Sequence, residues 1–255
     1  MKILVCIAQY GLNQLDHLKT LLYEYSLYSH SVDIVIDYTQ NIPEEVFPKD
    51  LKITLHQHPT AIGHGLTFCH RAHMVEQKDN YDIFIYTEND ILITEKNVES
   101  WLGIQSRLPK YAITGFLRYE QFPNSDIKYL MDAHPEFPMI LSKSVIVDGE
   151  RYFRLVNLHS GCWILTKEML HFAIYTGNFL VAPHITSRES TIYMVLESGA
   201  TDVYSQCWFE HKIFPYNGFE SLMVPHLANK YLFLMDNQEN PISTSPEKLR
   251  KLLDL

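Results

Sequence analysis

The sequence YDIFIYTENDILIT, residues 81–94, places Glu88 and Asp90 between two apolar runs. Residues 83–86 are β-branched or aromatic, and they predict a strand that is buried on both faces, as in the middle of a parallel sheet. Burial of two carboxylates beside such a strand is costly unless a cation compensates their charge. The segment therefore predicts a central strand with a charged site at its carboxyl end.

The two acids of this segment predict a site for a divalent cation. Successive side chains of a strand alternate between its two sides, so Glu88 and Asp90 are expected to point the same way and Asn89 away from them. Paired carboxylates suit a hard cation such as Mg²⁺ or Mn²⁺. The alternative is a surface turn with solvated acids, which the flanking apolar runs disfavour.

Length, composition and charge are those of a globular enzyme. A chain of 255 residues can form one domain with a large core. Hydrophobic residues make up 46% and charged residues 20%, as in ordinary globular proteins. The formal charge of −9 argues against a nucleic-acid partner, although it permits a local basic pocket for one diphosphate.

The amino terminus and the cysteines bear on localisation. Residues 3–8 form only a short apolar run, which predicts a first strand and not a signal peptide. No apolar run approaches the ~20 residues of a transmembrane segment. The four cysteines are far apart and lack Cys-x-x-Cys spacing, which favours reduced thiols in a cytoplasmic protein. Peripheral membrane association or a tether outside this sequence stays open.

Alternating elements predict the α/β class. Strands are expected at residues 2–8, 32–37, 51–57 and 112–116, with a fourth strand that starts at residue 83 and carries the acidic triplet 88–90 at its end, and helices at 12–28, 63–76 and 98–107. This rhythm is typical of a doubly wound, mostly parallel sheet flanked by helices.

The second half of the chain is less regular. Prolines break residues 120–156 into loops with a hairpin around Asp148-Gly149. Further on, the patterns predict strands at 162–166 and 202–208, helices at 167–175, 187–198 and 245–255, and a short helix or loop at 222–227. No repeat or linker separates these elements, so a single domain is expected.

The loop after the first strand excludes several nucleotide-binding classes. Residues 9–13, QYGLN, are neither Gly-x-Gly-x-x-Gly nor a P-loop, which disfavours dinucleotide oxidoreductases and P-loop phosphotransferases. The Gly-rich basic loop of sugar nucleotidyltransferases and the Gly-x-Ser-x-Gly elbow of α/β-hydrolases are also absent.

The order of elements carries a resemblance to a known family. An amino-terminal strand, a second strand that ends in Asp37 and a buried strand that ends in Glu88-Asn89-Asp90 resemble the nucleotide-binding half of GT-A-type glycosyltransferases. The hallmark of that family is Asp-x-Asp, and this chain has the variant Glu-x-Asp. The resemblance covers roughly residues 1–118 and is weaker over the acceptor half, residues 119–255. It implies a single-domain, GT-A-like (Rossmann-like) fold.

The resemblance also implies roles for the acids. Asp90 would ligate Mn²⁺ or Mg²⁺, and Glu88 would contact the metal, directly or through water, or the ribose. Asp37 would contact the base or ribose. The cation would neutralise the diphosphate that departs when the sugar–phosphate bond breaks. The Glu88 side chain is one methylene longer than the Asp of the family motif, so whether Glu88 binds the metal directly stays open.

Three further residues are candidates on the donor side. His226 resembles the late metal-ligating histidine of many GT-A enzymes, with a capping or core histidine as the alternative. Arg71, on the helix that residues 63–65 open, and Arg118, after the strand at 112–116, could bind the diphosphate. Surface or salt-bridged arginines are the alternative for both.

Two residues are candidates on the acceptor side. Trp163, close to Gly161, could stack on a sugar, or it could belong to the core. Glu189 resembles the catalytic base of inverting GT-A enzymes, yet Thr186 and Glu189 also have the spacing of a helix capping box.

Together these features predict a metal-dependent glycosyltransferase that moves a sugar from a nucleotide-sugar donor to a hydroxyl acceptor, on a carbohydrate or another molecule. A metal-dependent hydrolase could use the same acids and histidine. A non-catalytic nucleotide- or carbohydrate-binding protein of the same fold is the third possibility.

Overall fold

The computed structural model of the chain describes residues 1–133, 145–155, 157–181, 195–209, 211–232 and 244–254. These residues form two units: unit 1 is Met1–Glu95 with Gly161–Trp208, and unit 2 is Lys96–Ser160 with Phe209–Leu255. Each unit combines two separate stretches of chain. The prediction of a single domain with two functional halves stays a prediction.

The described strands and helices follow the predicted α/β class. The strands are β1 Lys2–Gln9, β2 Ser31–Tyr38, β3 Lys52–Gln57, β4 Ile83–Glu88, β5 Ala112–Ile113, β6 Leu117–Gln121, β7 Lys128–Leu130, β8 Val145–Val147, β9 Glu150–Phe153, β10 Cys162–Thr166, β11 His211–Lys212, β12 Phe214–Pro215 and β13 Met223–Pro225. The α-helices are α1 Leu15–Ser26, α2 Leu66–Glu76, α3 Glu95–Gln105, α4 Lys167–Tyr175, α5 Val195–Gln206 and α6 Pro246–Leu253.

The sheet of unit 1 is mixed. Its five strands lie in the order β10-β4-β1-β2-β3. Strands β1 to β4 are mutually parallel, and β10 runs antiparallel to β4. The α/β class with flanking helices is confirmed, and the mostly parallel sheet carries one antiparallel edge strand.

The hydrophobic pattern explains why β1 and β4 lie in the middle of this sheet. Residues 3–8 and 83–87 are buried without alternation, as expected for strands that are covered on both faces. In α1 the buried residues recur at helical spacing and form one apolar stripe: Leu18, Leu21, Leu22 and Tyr25. Because crossovers between parallel strands are right-handed, α1 and α2 cover opposite faces of the sheet.

The strand order reverses between β1 and β4. The chain leaves β1 for β2 on one side, and β4 later adds to the other side of β1. Ala8 of β1 is in register with Asp37 of β2 and with Glu88 of β4. Register partners of parallel strands face the same way, so both acids lie at one level on one face of the sheet, near its carboxyl edge.

Unit 2 contains short strand pairs. Strand β6 lies between β7 and β13, strand β9 lies between β8 and β12, and β5 pairs with β11. The predicted hairpin around Asp148-Gly149 is confirmed as β8 and β9. Both turn residues have positive φ angles, as a tight hairpin connection requires.

Two predictions of secondary structure are wrong. Residues 202–208 were expected to form a strand, but residues through Gln206 belong to α5. The buried residues Ala200, Val203, Tyr204 and Cys207 recur at helical and not alternating spacing. Residues 223–225, expected as helix or loop, form β13. Most of the helix predicted at 187–198 lies outside the described residues.

No helix in the described parts of the chain combines the length and the apolar character that a membrane crossing needs.

Candidate functional site

The acidic segment forms a buried turn at the carboxyl end of β4. The strand ends at Glu88, and the Ile91 amide donates to the Glu88 carbonyl oxygen at 3.2 Å. The argument from strand alternation is therefore wrong for Asp90, which lies inside the turn. The disfavoured alternative, a surface turn with solvated acids, does not agree with the structure, because Asn89 is 6% and Asp90 3% exposed.

Residues at the end of β1 and at the start of α1 hold this turn in place. The Gln14 side-chain amide donates to Asp90 Oδ2 at 3.4 Å, and the Asn89 side-chain amide donates to Gln9 Oε1 at 2.9 Å. Gln9 ends β1 and Gln14 directly precedes α1. The turn thus lies where the strand order reverses, which is the usual ligand-binding position of open α/β sheets.

Gly161 packs against the carboxylate of Glu88. Its carbonyl oxygen accepts from the Glu88 amide at 2.9 Å. Its φ angle is +60°, and a Cβ atom there would lie 3.3 Å from Ile91 Cγ1 and 3.5 Å from Glu88 Oε2. The absence of a side chain at Gly161 lets the carboxylate of Glu88 lie against the backbone.

Gly161→Ala is expected to lower the free energy of unfolding and to displace Glu88. A positive φ angle costs an alanine about 1–2 kcal/mol, and the contacts with Ile91 and Glu88 add to that cost. Gly177→Ala is the control, because Gly177 has a φ angle of +77° and nothing within 4 Å of a Cβ. Urea denaturation and Mn²⁺ titration of both variants measure the two effects. Equal losses in both variants would contradict a specific contact with Glu88.

Trp163 lies in the core of unit 1. It is on β10, is fully buried, and its ring centroid lies 6.0 Å from that of Tyr86 and 6.1 Å from that of Phe179. His70 stacks on Tyr86 at 4.0 Å, and burial lowers the pKa of His70 well below its usual value. The core alternative for Trp163 agrees with this position.

Arg71 is buried between α2 and α5. Its guanidinium donates to the carbonyl oxygens of Phe179 at 2.9 Å and Gly199 at 3.0 Å, and it lies over the ring of Phe68. These bonds satisfy backbone acceptors inside unit 1. The proposed contact of Arg71 with a diphosphate stays a prediction, and the structure places the side chain in the interior.

Arg118 belongs to unit 2 and forms a buried ion pair. Its Nε and Nη2 donate to Asp132 Oδ1 at 3.0 and 2.8 Å, and its backbone amide donates to Asp132 Oδ2 at 2.6 Å. This is the salt-bridged alternative that the sequence left open, and it fixes the start of β6.

His226 also belongs to unit 2, where it pairs with a carboxylate. Its Nδ1 lies 2.5 Å from Glu120 Oε1, and Glu120 Oε2 accepts from the Tyr231 amide at 3.0 Å. Metal-bound histidines commonly use their second nitrogen for such a carboxylate, so ligation by His226 would go through Nε2. Its role as a ligand stays a prediction, as does that of Glu189, which lies outside the described residues.

A second cluster, which we call the Asp37 cluster, consists of Asp37, His58, Cys69 and His73. Asp37 lies near the end of β2, His58 follows β3, and the other two lie one turn apart on α2. Asp37 Oδ1 lies 2.8 Å from His58 Nε2 and 3.1 Å from His73 Nε2. His58 Nδ1 lies 3.7 Å from Cys69 Sγ.

Electrostatics distinguish the possible roles of this cluster. The hydrogen bond with Asp37 raises the pKa of His73. Burial and the charge of Asp37 raise the pKa of the Cys69 thiol to about 11. The order thiol–imidazole–carboxylate resembles that of a cysteine nucleophile, but such a thiol stays protonated at neutral pH and is a poor nucleophile.

Sequence analysis found Asp37 and missed its three partners. The four-residue spacing of Cys69 and His73, which is that of neighbours on one helix face, is a signal that could have found two of them. The predicted contact of Asp37 with a base or ribose stays a prediction. The side chain is 1% exposed, so a ligand could contact it only after neighbouring side chains move.

A scan against models of protein families found no match, and a search of curated proteins found no significant relative.

Proposed function

We propose that the protein is a metal-dependent glycosyltransferase with a GT-A-like, Rossmann-like fold. In this proposal it transfers a sugar from a nucleotide-sugar donor to a hydroxyl acceptor. The observation that supports it most is the position of the Glu88–Asp90 turn. This turn combines two carboxylates with the point where the strand order reverses, at the carboxyl ends of β1 and β4.

The chemistry of the donor gives these carboxylates their role. Cleavage of the bond between sugar and diphosphate leaves negative charge on the departing phosphate. A Mn²⁺ or Mg²⁺ ion held by Asp90, with Glu88 as a second contact, would offset that charge and orient the donor. Oxygen ligands such as these suit either ion. The sequence-derived roles of His226 and Glu189 belong to the same proposal.

The proposal predicts that nucleoside diphosphates bind much more tightly with Mn²⁺ than with chelator. An ion that bridges the turn and the two phosphates removes the repulsion between their negative charges. Isothermal titration calorimetry of uridine and guanosine diphosphates measures this difference directly. At a ligand concentration of 100 times Kd, binding also stabilises the fold by about 2.7 kcal/mol, which a thermal-shift screen of nucleotide sugars detects. Equal affinity with Mn²⁺ and with chelator would show that donor binding does not depend on the metal.

Transfer must also be separated from hydrolysis, because a hydrolase could use the same carboxylates. Incubation with nucleotide sugar, Mn²⁺ and a library of hydroxyl acceptors, followed by mass spectrometry, distinguishes the two reactions. A glycosylated acceptor supports the proposal. Release of free sugar alone, in the presence of every acceptor class, would assign the site to a hydrolase. Tight binding without turnover would assign it to a binding protein.

A further inference from the structure

The Asp37 cluster has features of a metal site that are separate from the Glu88–Asp90 turn. A carboxylate, an imidazole and a thiol, from Asp37, His58 and Cys69, have ligand atoms that all lie within 4.8 Å of one another. They come from the ends of two adjacent parallel strands and from one helix. Packing of α2 against the sheet therefore holds the three side chains together.

Asp37 lacks a full set of partners. Its side chain is buried, and Oδ1 interacts with both His58 and His73. The second oxygen, Oδ2, is also buried and has no hydrogen-bond partner among the described residues. A buried carboxylate oxygen without a partner is costly, and a bound cation removes that cost.

The mixture of donor atoms selects the kind of ion. Mg²⁺ and Ca²⁺ prefer oxygen ligands, and a thiolate suits softer metals. Zn²⁺ accepts carboxylate oxygen, imidazole nitrogen and thiolate sulfur in one tetrahedral site. In a tetrahedral zinc site, ligand atoms at about 2.0–2.3 Å from the ion lie roughly 3.3–3.8 Å from one another. Movements of the three side chains by about 1 Å would therefore bring their ligand atoms to zinc-binding distances.

We propose that Asp37, His58 and Cys69 form a zinc-binding site. One carboxylate oxygen, one imidazole nitrogen and the Cys69 thiolate bind the ion. His73 positions the carboxylate through its hydrogen bond to Oδ1. Three protein ligands leave a fourth tetrahedral position for water or an external ligand. Zinc binding displaces the thiol proton to solvent, so affinity rises with pH.

Metal analysis of the full chain tests this site. Protein is stripped with chelator, dialysed against Zn²⁺ and analysed by mass spectrometry for bound metal. We expect one tightly bound zinc ion per chain in the wild type. Cys69→Ser and His58→Gln each remove one ligand and should weaken zinc binding by about 100-fold or more. Changes to residues that only hydrogen-bond to a ligand typically weaken metal binding by about 10- to 100-fold. His30→Gln, a change at a histidine outside the cluster, should retain the ion.

Cobalt and alkylation give readouts that do not depend on activity. Co²⁺ in the same site should show thiolate-to-cobalt charge-transfer absorption that Cys69→Ser lacks. Cys69 is partly exposed, whereas the chain's other three cysteines are buried, so iodoacetamide should react first with Cys69 in the metal-free native protein. The reaction is run at alkaline pH, where more of this thiol is ionised. Zinc should protect this thiol in the wild type, which keeps the test valid even if a variant fails to fold.

The outcomes separate this proposal from the proposed function. A Glu88→Gln/Asp90→Asn double variant should lose Mn²⁺-dependent nucleotide binding and keep the zinc ion. Absence of tight zinc in the wild type, or zinc that neither Cys69→Ser nor His58→Gln weakens, would overturn the zinc site. Unprotected alkylation of Cys69 in zinc-loaded protein would overturn the thiolate ligand.

Discussion

Asp90→Asn is expected to reduce the rate of sugar transfer by roughly 100-fold or more, a loss typical of removing one group that stabilises developing charge. The amide has nearly the same volume as the carboxylate but no negative charge to hold Mn²⁺. Gln14 already contacts Asp90 Oδ2 by a hydrogen bond that an amide oxygen can also accept, so the turn should keep its shape. Initial rates at saturating donor and Mn²⁺ measure the effect.

The control for this experiment is Asp16→Asn. The Asp16 side chain is 96% exposed and makes an ion pair with Lys19 on the surface of α1, so its change removes one charge without touching the turn. We expect wild-type rates from it. Circular dichroism and thermal melts establish that both variants are folded. Full activity in a folded Asp90→Asn protein would show that the central assignment is wrong.

Gly199→Ala is expected to destabilise unit 1 strongly. A Cβ atom at this position would lie 2.3 Å from Thr67 Oγ1 and 3.0 Å from the Thr67 carbonyl oxygen, so α2 and α5 would have to separate. Overpacking of this kind costs about 1–3 kcal/mol, and the backbone contact leaves little room for relief. Separation would also lengthen the bond from Arg71 to the Gly199 carbonyl oxygen. Urea denaturation measures the loss.

Gly103→Ala is the matched control, because it changes another helical glycine. Gly103 lies on α3 with nothing within 4 Å of a Cβ. Alanine should therefore stabilise this helix by about 0.5–1 kcal/mol, since it restricts the unfolded chain and suits a helix interior. Gly199→Ala should lower the free energy of unfolding, and Gly103→Ala should raise it. A neutral Gly199→Ala would show that α2 and α5 are not in close contact.

The strands of unit 1 could be predicted from the sequence almost to the residue. Their signal is local, because a strand buried on both faces reads as a continuous apolar run, as in residues 3–8 and 83–87. Strand β10 was also predicted, but its antiparallel direction was not. The direction of a strand depends on how the chain returns to the sheet, which no local sequence pattern predicts.

The error at α5 has a different cause. Val203 and Tyr204 are residue types that favour strands, and over a short window the periodicity of the apolar residues is ambiguous. Packing on α2 through Gly199 favours the helix, which shows tertiary structure overriding local propensity.

By itself the sequence determined the α/β class, the central strand and the acidic segment at its end, because neighbouring residues carry each of these signals. Tertiary structure alone decided which side chains meet. Only the pairing of β2 with β3 brings His58 to Asp37 across 21 positions of sequence, and only the packing of α2 brings Cys69 there across 32 positions. Only the turn after Glu88 directs Asp90 toward Gln14. Side-chain neighbours across a sheet depend on strand order and register, which are set by the cooperative burial of the whole core.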